Sequence, residues 1–248
     1  WIDWAPMSGG LTAHGLVRQR YPDALCQVVE PHASRLAATR DVLQAPWWQR
    51  WTRSARTAFV SQPQAGADMV WANMALHLSD KPQTLLRQWH EALAVDGFVM
   101  FSCLGPDTLG ELHALYQRKG WPAPSHAFTD MHDWGDMLVA AGFAEPVMDM
   151  ERLTLTYASP QALLDELRLL GRNLHGGRFA GLRGRVWHQN LLQALWALAQ
   201  PSQDGRLVLT VEVIYGHALK PVPRIKVSEH SAVSLQEMRS MLTRSKAD

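Results

Sequence analysis

The chain is poor in cysteine, in net charge and in long apolar runs, and each shortage closes off a class of protein. Two cysteines in 248 residues, Cys26 and Cys103, are too few for a disulfide scaffold or a zinc site and fit a reducing compartment. Lys and Arg number 24 against 23 Asp and Glu, a formal charge of +1 that gives no overall pull toward nucleic acid or membrane. No apolar run approaches the roughly 18 to 20 residues that span a bilayer. The first residues also lack the charged segment of a secretory signal. A cytoplasmic protein is expected. The start at Trp1, almost inside a strand, predicts that an N-terminal piece is missing or trimmed.

What is present is the material of a large core. The hydrophobic fraction is 47% and the charged fraction 19%, which suits one large domain or a domain with an elaborated cap. The first half alternates short apolar runs with helical patterns. "LTAHGLVRQRYP" reads as a helix stopped near Pro22, "ALCQVVE" as a buried strand ending in Glu30, and "SRLAATRDVL" as the next helix. "TAFVSQ" is a weak strand and "ADMVWAN" a clear one; "PQTLLRQWHEALA" then has helical spacing, and "GFVMFSCL" is a continuous apolar strand. This order predicts an α/β fold with a parallel sheet and helices on both faces. Ligands in such sheets sit beyond the carboxyl ends of the strands, here the Asp3 turn, Glu30, Asn73 and the segment after Cys103. In the second half, "MHDWGDMLVAAGF", "SPQALLDELRLLG" and "GRVWHQNLLQALWALA" read as helices, and "PVMDMERLTLTY" and "GRLVLTVEVIYGHAL" as strands. Residues 221–248 read as a polar tail.

Several stretches carry candidate chemistry. In "IDWAPMSGG", Gly9 and Gly10 allow a close backbone approach to a ligand, and Ala5 is small enough to sit beside one. A positive φ at Met7 would cost roughly 1–2 kcal/mol. An ordinary strand-to-helix turn is equally compatible with this stretch. Glu30 ends the second strand, where a carboxylate accepts ribose hydroxyls. Asn73 ends the strand "ADMVWAN", in reach of a cofactor or substrate, and His77 beyond it is expected to pack rather than to act as a base. Pro106 is expected to start a helix, with Asp107 either facing the crevice or, the favoured reading, capping that helix. Asp130 sits well as the N-cap of the following helix. His126, Asp130, His132, Asp133 and Asp136 form no ligand spacing, so no metal site is expected. The cluster "PWWQRWTRSAR" (Trp47, Trp48 and Trp51 with Arg50, Arg53 and Arg56) reads as a hydrophobic contact surface with snorkelling arginines rather than a nucleic-acid site. The basic run from Arg168 to Arg185 suits an acidic carrier protein or a carboxylate.

From Ile2 to about Cys103 the pattern resembles class I S-adenosylmethionine-dependent methyltransferases. Asp3 with Gly9 matches the first motif, Glu30 the ribose-binding acid and "DMVWANMAL" the fourth-strand motif. "FSCLGPDTLGELHALY", "FTDMHDWGDMLVAAGFAEPVMDMERLTLTY", "LRLLGRNLHGGRFAGLRGR" and "VEVIYGHALKP" are more specific. Over most of residues 67–220 they are similar to the malonyl-carrier-protein O-methyltransferases of biotin synthesis (BioC). The resemblance implies a Rossmann-like, seven-stranded, mostly parallel sheet in residues 1–220, with a helical substrate-side elaboration over 160–200. It implies S-adenosylmethionine as cofactor, contacted by Asp3, Ala5, Gly9, Gly10, Glu30, Asn73 and Met74. The acceptor it implies is the free carboxylate of a malonyl thioester on acyl-carrier protein or coenzyme A, held by one of Arg172, Arg178, Arg183 and Arg185. A carboxylate is ionised at neutral pH, so no general base is required and no catalytic residue is singled out. The chain departs from the family in having only Gly9 of the three usual glycines, with Ala5 and Met7 at the other two positions. It also lacks the acidic residue and Leu-Pro pair usual after the third strand, and the N-terminal helices that close over the cofactor. A non-catalytic binding module and a methyltransferase with another acceptor are the alternative readings.

Overall fold

The computed structural model describes residues 1–43, 56–170, 173, 175–200 and 203–223. The tryptophan cluster around Trp47, Trp48 and Trp51, the candidate Arg172 and most of the expected C-terminal tail lie outside these residues.

The alternation read in the first half folds as a doubly wound sheet. β1 (Ile2–Trp4), β2 (Cys26–Val29), β3 (Thr57–Val60), β4 (Ala67–Ala72) and β5 (Leu93–Leu104) run parallel in the spatial order β3-β2-β1-β4-β5. β1 lies at the centre, with Ile2 opposite both Gln27 and Val70. Its three residues are buried throughout, as a strand with helices on both faces must be. The sheet continues through β8 (Arg206–Leu219) to β6 (Ala144–Tyr157), both antiparallel to their neighbours. Seven strands thus follow the main path, as expected, and a two-residue β7 (Ala199–Gln200) adds an eighth against β8.

The connections are α1 (Pro6–Gly9), α2 (Leu11–Arg20), α3 (Ala33–Leu43), α4 (Pro82–Ala92), α5 (Gly110–Arg118), α6 (Met131–Ala140), α7 (Pro160–Leu170) and α8 (Arg185–Leu195). α4 is strongly amphipathic and sends Leu86 and Trp89 into the main core beside Trp4, Val70, Val99 and Phe101. α6 adds Trp134 and Leu138 to the same core, and Asp130 caps it by accepting the His132 N–H at 2.7 Å.

β8 and β6 are each 14 residues long, but only Val213–Leu219 of β8 pairs with β5. The remaining halves, Leu207–Glu212 against Arg152–Tyr157, project past the end of β5. A second core sits on this projection: Leu207 and Leu209 with Leu112 and Leu115 of α5, Leu163 of α7, and Leu191 and Leu195 of α8. The helical elaboration is therefore mounted on a strand extension beside the carboxyl end of the parallel sheet.

Two local expectations change. The helix after β5 begins at Gly110 rather than Pro106. Thr108 N–H closes a turn on the Gly105 carbonyl, and Leu109 takes a left-handed conformation (φ 61°) before the helix. Asp107 caps nothing: its carboxylate pairs with Arg152 of β6, and its N–H donates to Glu212 of β8 at 2.8 Å. Met7 is a right-handed helical residue within α1; the positive φ falls instead on Ala5 (49°) and Gly10 (81°).

Candidate active site

At the carboxyl ends of β1, β2 and β4 lies a cleft of about 330 Å³, whose lining includes Trp4, Ala5, Ser8, Glu30, Arg35 and Lys81. The β1 turn shapes it. Ala5 leaves the strand in the left-handed region, its N–H bonding the Val29 carbonyl at 2.8 Å. A non-glycine residue pays strain there, and Ala is the smallest that bears it. Gly9 has a different reason to be glycine. A Cβ on it would fall on the carbonyl and side chain of Asn73.

Asn73 is spent on holding this turn. Its Nδ2 donates to the Gly9 carbonyl at 2.9 Å, and its Oδ1 accepts from Ser102 Oγ at 2.5 Å. Met74 follows with φ 52°, its N–H bonding the Ser102 carbonyl and hydroxyl. Asn73 and Ser102 thus tie the ends of β4 and β5 to the β1 loop.

Asp3 is buried under the loop, and its Oδ2 meets Nδ1 of His14 at 2.6 Å. Burial pushes the Asp3 carboxyl above its usual range, and the His14 contact partly offsets this.

Glu30 is fully buried at the β2 terminus. Its Oε1 accepts from the Met7 N–H at 3.2 Å and the Thr39 hydroxyl at 3.3 Å. Its Oε2 is buried without a hydrogen bond among the described residues and forms an ion pair with Arg35 Nε at 3.4 Å. Arg35 reaches across from α3 to Ser8 Oγ at 2.9 Å. The Arg35 charge compensates this buried carboxylate while leaving Oε2 without a hydrogen bond, so a ligand hydroxyl would add a donor the protein does not supply.

On the other side, a band of histidines leads from the end of β5 to the arginine-bearing segment. His77 Nδ1 accepts the Leu104 N–H at 3.3 Å and its ring meets Phe128 edge-on. Burial, reinforced by nearby His126, pushes its pKa down to about 4, so it packs as a neutral ring, as expected. His113 bonds Ser125 at 2.7 Å, and burial with His175 and His126 close by depresses its pKa too. Asn173 Nδ2 then fastens the following loop by donating to the Ala123 carbonyl at 2.7 Å.

The three described arginines from Arg178 to the start of α8 differ sharply. Arg178 and Arg185 are exposed, whereas Arg183 is half-buried. Its guanidinium lies 3.9 Å from the Trp187 ring centre and 4.6 Å from that of Phe179, and Trp187 in turn packs on Trp121. Among the described residues none of the three has a carboxylate within 4 Å.

The structure therefore gathers Asp3, Ala5, Gly9, Gly10, Glu30, Asn73 and Met74 around one set of strand ends. It also supplies residues that sequence reading passed over: Arg35, Ser8, Thr39 and His14. Their only signal was position, Arg35 five residues beyond Glu30 and His14 eleven beyond Asp3. No group of three or more His, Cys, Asp or Glu side chains among the described residues is placed to hold a metal. No helix among them is long and apolar enough to cross a membrane.

Comparison with known proteins gives a consistent answer. No family model matches the chain. The malonyl-(acyl-carrier protein) O-methyltransferase of Laribacter hongkongensis is 40% identical over 218 residues, covering 85% of this chain and 72% of that protein. That of Gallionella capsiferriformans is 41% identical over 218 residues, covering 84% and 72%. Among solved structures, a protein of Bacillus halodurans assigned to the methyltransferases superposes with a TM-score of 0.56 at 15% identity, covering 89% of this chain and 92% of that one.

Proposed function

The chain belongs to the malonyl-(acyl-carrier protein) O-methyltransferase family, and on that premise we propose that it methylates the free carboxylate of a malonyl thioester, with S-adenosylmethionine as donor. The observation that carries the reading is Glu30. It closes β2 against the cleft, and its Oε2 has an ion pair with Arg35 but no hydrogen bond among the described residues, at the strand end where a carboxylate accepts the two hydroxyls of a ribose. Ala5, Gly9 and Gly10 are the backbone that approaches the ligand. Asp3 and Asn73 act beneath it, through His14 and through the Gly9 carbonyl, to keep the turn in place.

When bound, the cofactor supplies a methyl group on a sulfonium centre, ready for displacement. The protein then has to align the acceptor and exclude competing water, which is where proximity contributes most. A carboxylate acceptor is already ionised at neutral pH. His77, held neutral with its Nδ1 occupied by a backbone N–H, is therefore not needed as a base. Arg183 is the residue assigned to hold the acceptor carboxylate. It is half-buried, carries no protein carboxylate among the described residues, and is oriented by stacking between Phe179 and Trp187.

The test has two readouts. Titration calorimetry with S-adenosylmethionine should give saturable binding, weakened about 10- to 100-fold by Glu30→Gln, since hydrogen bonds to a charged acceptor contribute about 1.5–3 kcal/mol. Mass spectrometry of malonyl-carrier protein should then show one added methyl. An absence of heat at millimolar cofactor would make the chain a binding module with a methyltransferase fold, and binding without methylation would point to another acceptor.

A further inference from the structure

Beside Arg183 the same segment carries an apolar patch left largely to solvent. Leu182 is 103% exposed, Val186 71% and Phe179 52%, within eight residues of one another. Exposed apolar side chains scattered singly need no explanation, but a concentrated group does. Arg178 and Arg185 flank this group, both exposed and without a carboxylate partner among the described residues. The chain as a whole is nearly neutral, so this is a local positive field rather than a share of a general one. An apolar centre with a cationic rim complements an acidic protein face that carries small apolar residues. It does not suit a second copy, because an isologous contact would bring the same arginines together.

We infer that Phe179, Leu182 and Val186, rimmed by Arg178 and Arg185, are the docking surface for the acidic carrier protein that delivers the thioester. The inference rests on the function proposed above and adds the place where the carrier sits. Geometry supports that place. Arg183 lies within the same loop and turns inward onto Trp187 while Leu182 turns outward. A carrier seated on the outer side would therefore have its thioester arm beside the guanidinium that receives the carboxylate. Asn173, six residues before Phe179, is tied to the Ala123 carbonyl at 2.7 Å.

The experiment uses Leu182→Glu and Val186→Glu. These positions are exposed, so the variants are expected to keep the wild-type melting temperature. Fluorescence anisotropy with phosphopantetheinylated carrier protein should show at least tenfold weaker binding to either variant than to the wild type, and wild-type binding should fall as NaCl is raised. Steady-state methylation should show the KM for malonyl-carrier protein raised at least tenfold, with kcat/KM for malonyl-coenzyme A within twofold of wild type. Three results would overturn the docking site: equal losses with both acceptors, carrier binding unchanged in both variants, or a wild-type dimer that the variants dissociate without any change in carrier binding. Failure of the function itself reads differently. The wild type would then bind carrier without methylating either acceptor, and the variants would still decide whether the surface is the one bound.

Discussion

Ala5 carries the clearest local cost in the site. Its left-handed backbone (φ 49°, ψ 53°) is one that glycine adopts freely and alanine does not. Replacing Ala5 with Gly removes roughly 1–2 kcal/mol of strain and gives back about 0.4–1 kcal/mol of unfolded-chain entropy. A net gain of about 0.5–1 kcal/mol is expected, which calorimetry would record as a rise of roughly 1–4 °C in Tm for a domain of this size. An unchanged or lowered Tm would show that the turn relaxes around alanine. His77 makes a pH-dependent contribution. Its folded pKa is pushed down to about 4 from 6.5, so on acidification the unfolded chain takes the proton first. The contribution is complete above pH 6.5 and is lost as pH falls toward 4, a total on the order of 3 kcal/mol. Urea midpoints between pH 7 and 4.5 should fall less steeply for His77→Gln than for wild type. Parallel curves would place the acid sensitivity elsewhere.

At the scale of elements, the second core decides whether the arginine segment has a platform. Leu195 is fully buried near the end of α8, among Leu191, Leu207 and Leu209. Leu195→Ala should cost about 2–5 kcal/mol. Hydrogen exchange should show the loss in α7 and α8 before β1 and β4, which belong to the other core. A uniform loss across both cores would mean that the elaboration and the sheet unfold as one unit. Register made this core hard to foresee. The alternation in "GRLVLTVEVIYGHAL" marks a strand, but nothing in it says that β5 pairs with only its second half.

For the whole molecule, the two cysteines report on global opening. Cys26 and Cys103 are both free and buried, on different strands, and burial pushes both thiols up to about 12. Neither is a thiolate at neutral pH, so alkylation should follow unfolding. Labelling of both at one denaturant-dependent rate is expected; labelling of Cys103 alone would reveal separate opening of β5 between β4 and β8. The architecture itself was legible from residue order. Strand and helix alternate, apolar runs are short, and acidic or amide residues close the strands, because period and burial are local properties written into consecutive residues. Asp3, Gly9, Glu30 and Asn73 could be placed at strand ends for that reason. What only the tertiary structure decided is what those residues touch. Asn73 clamps Gly9, Arg35 ion-pairs with a Glu30 oxygen that has no hydrogen bond among the described residues, the strain sits on Ala5 instead of Met7, and Arg183 alone of Arg178, Arg183 and Arg185 is stacked on aromatic rings. The physical reason is context. Asn73 and Gly9 are far apart in the chain, while Glu30 with Arg35 and Arg183 with Trp187 are close neighbours whose orientation and burial exist only once the sheet and its helices have assembled around them.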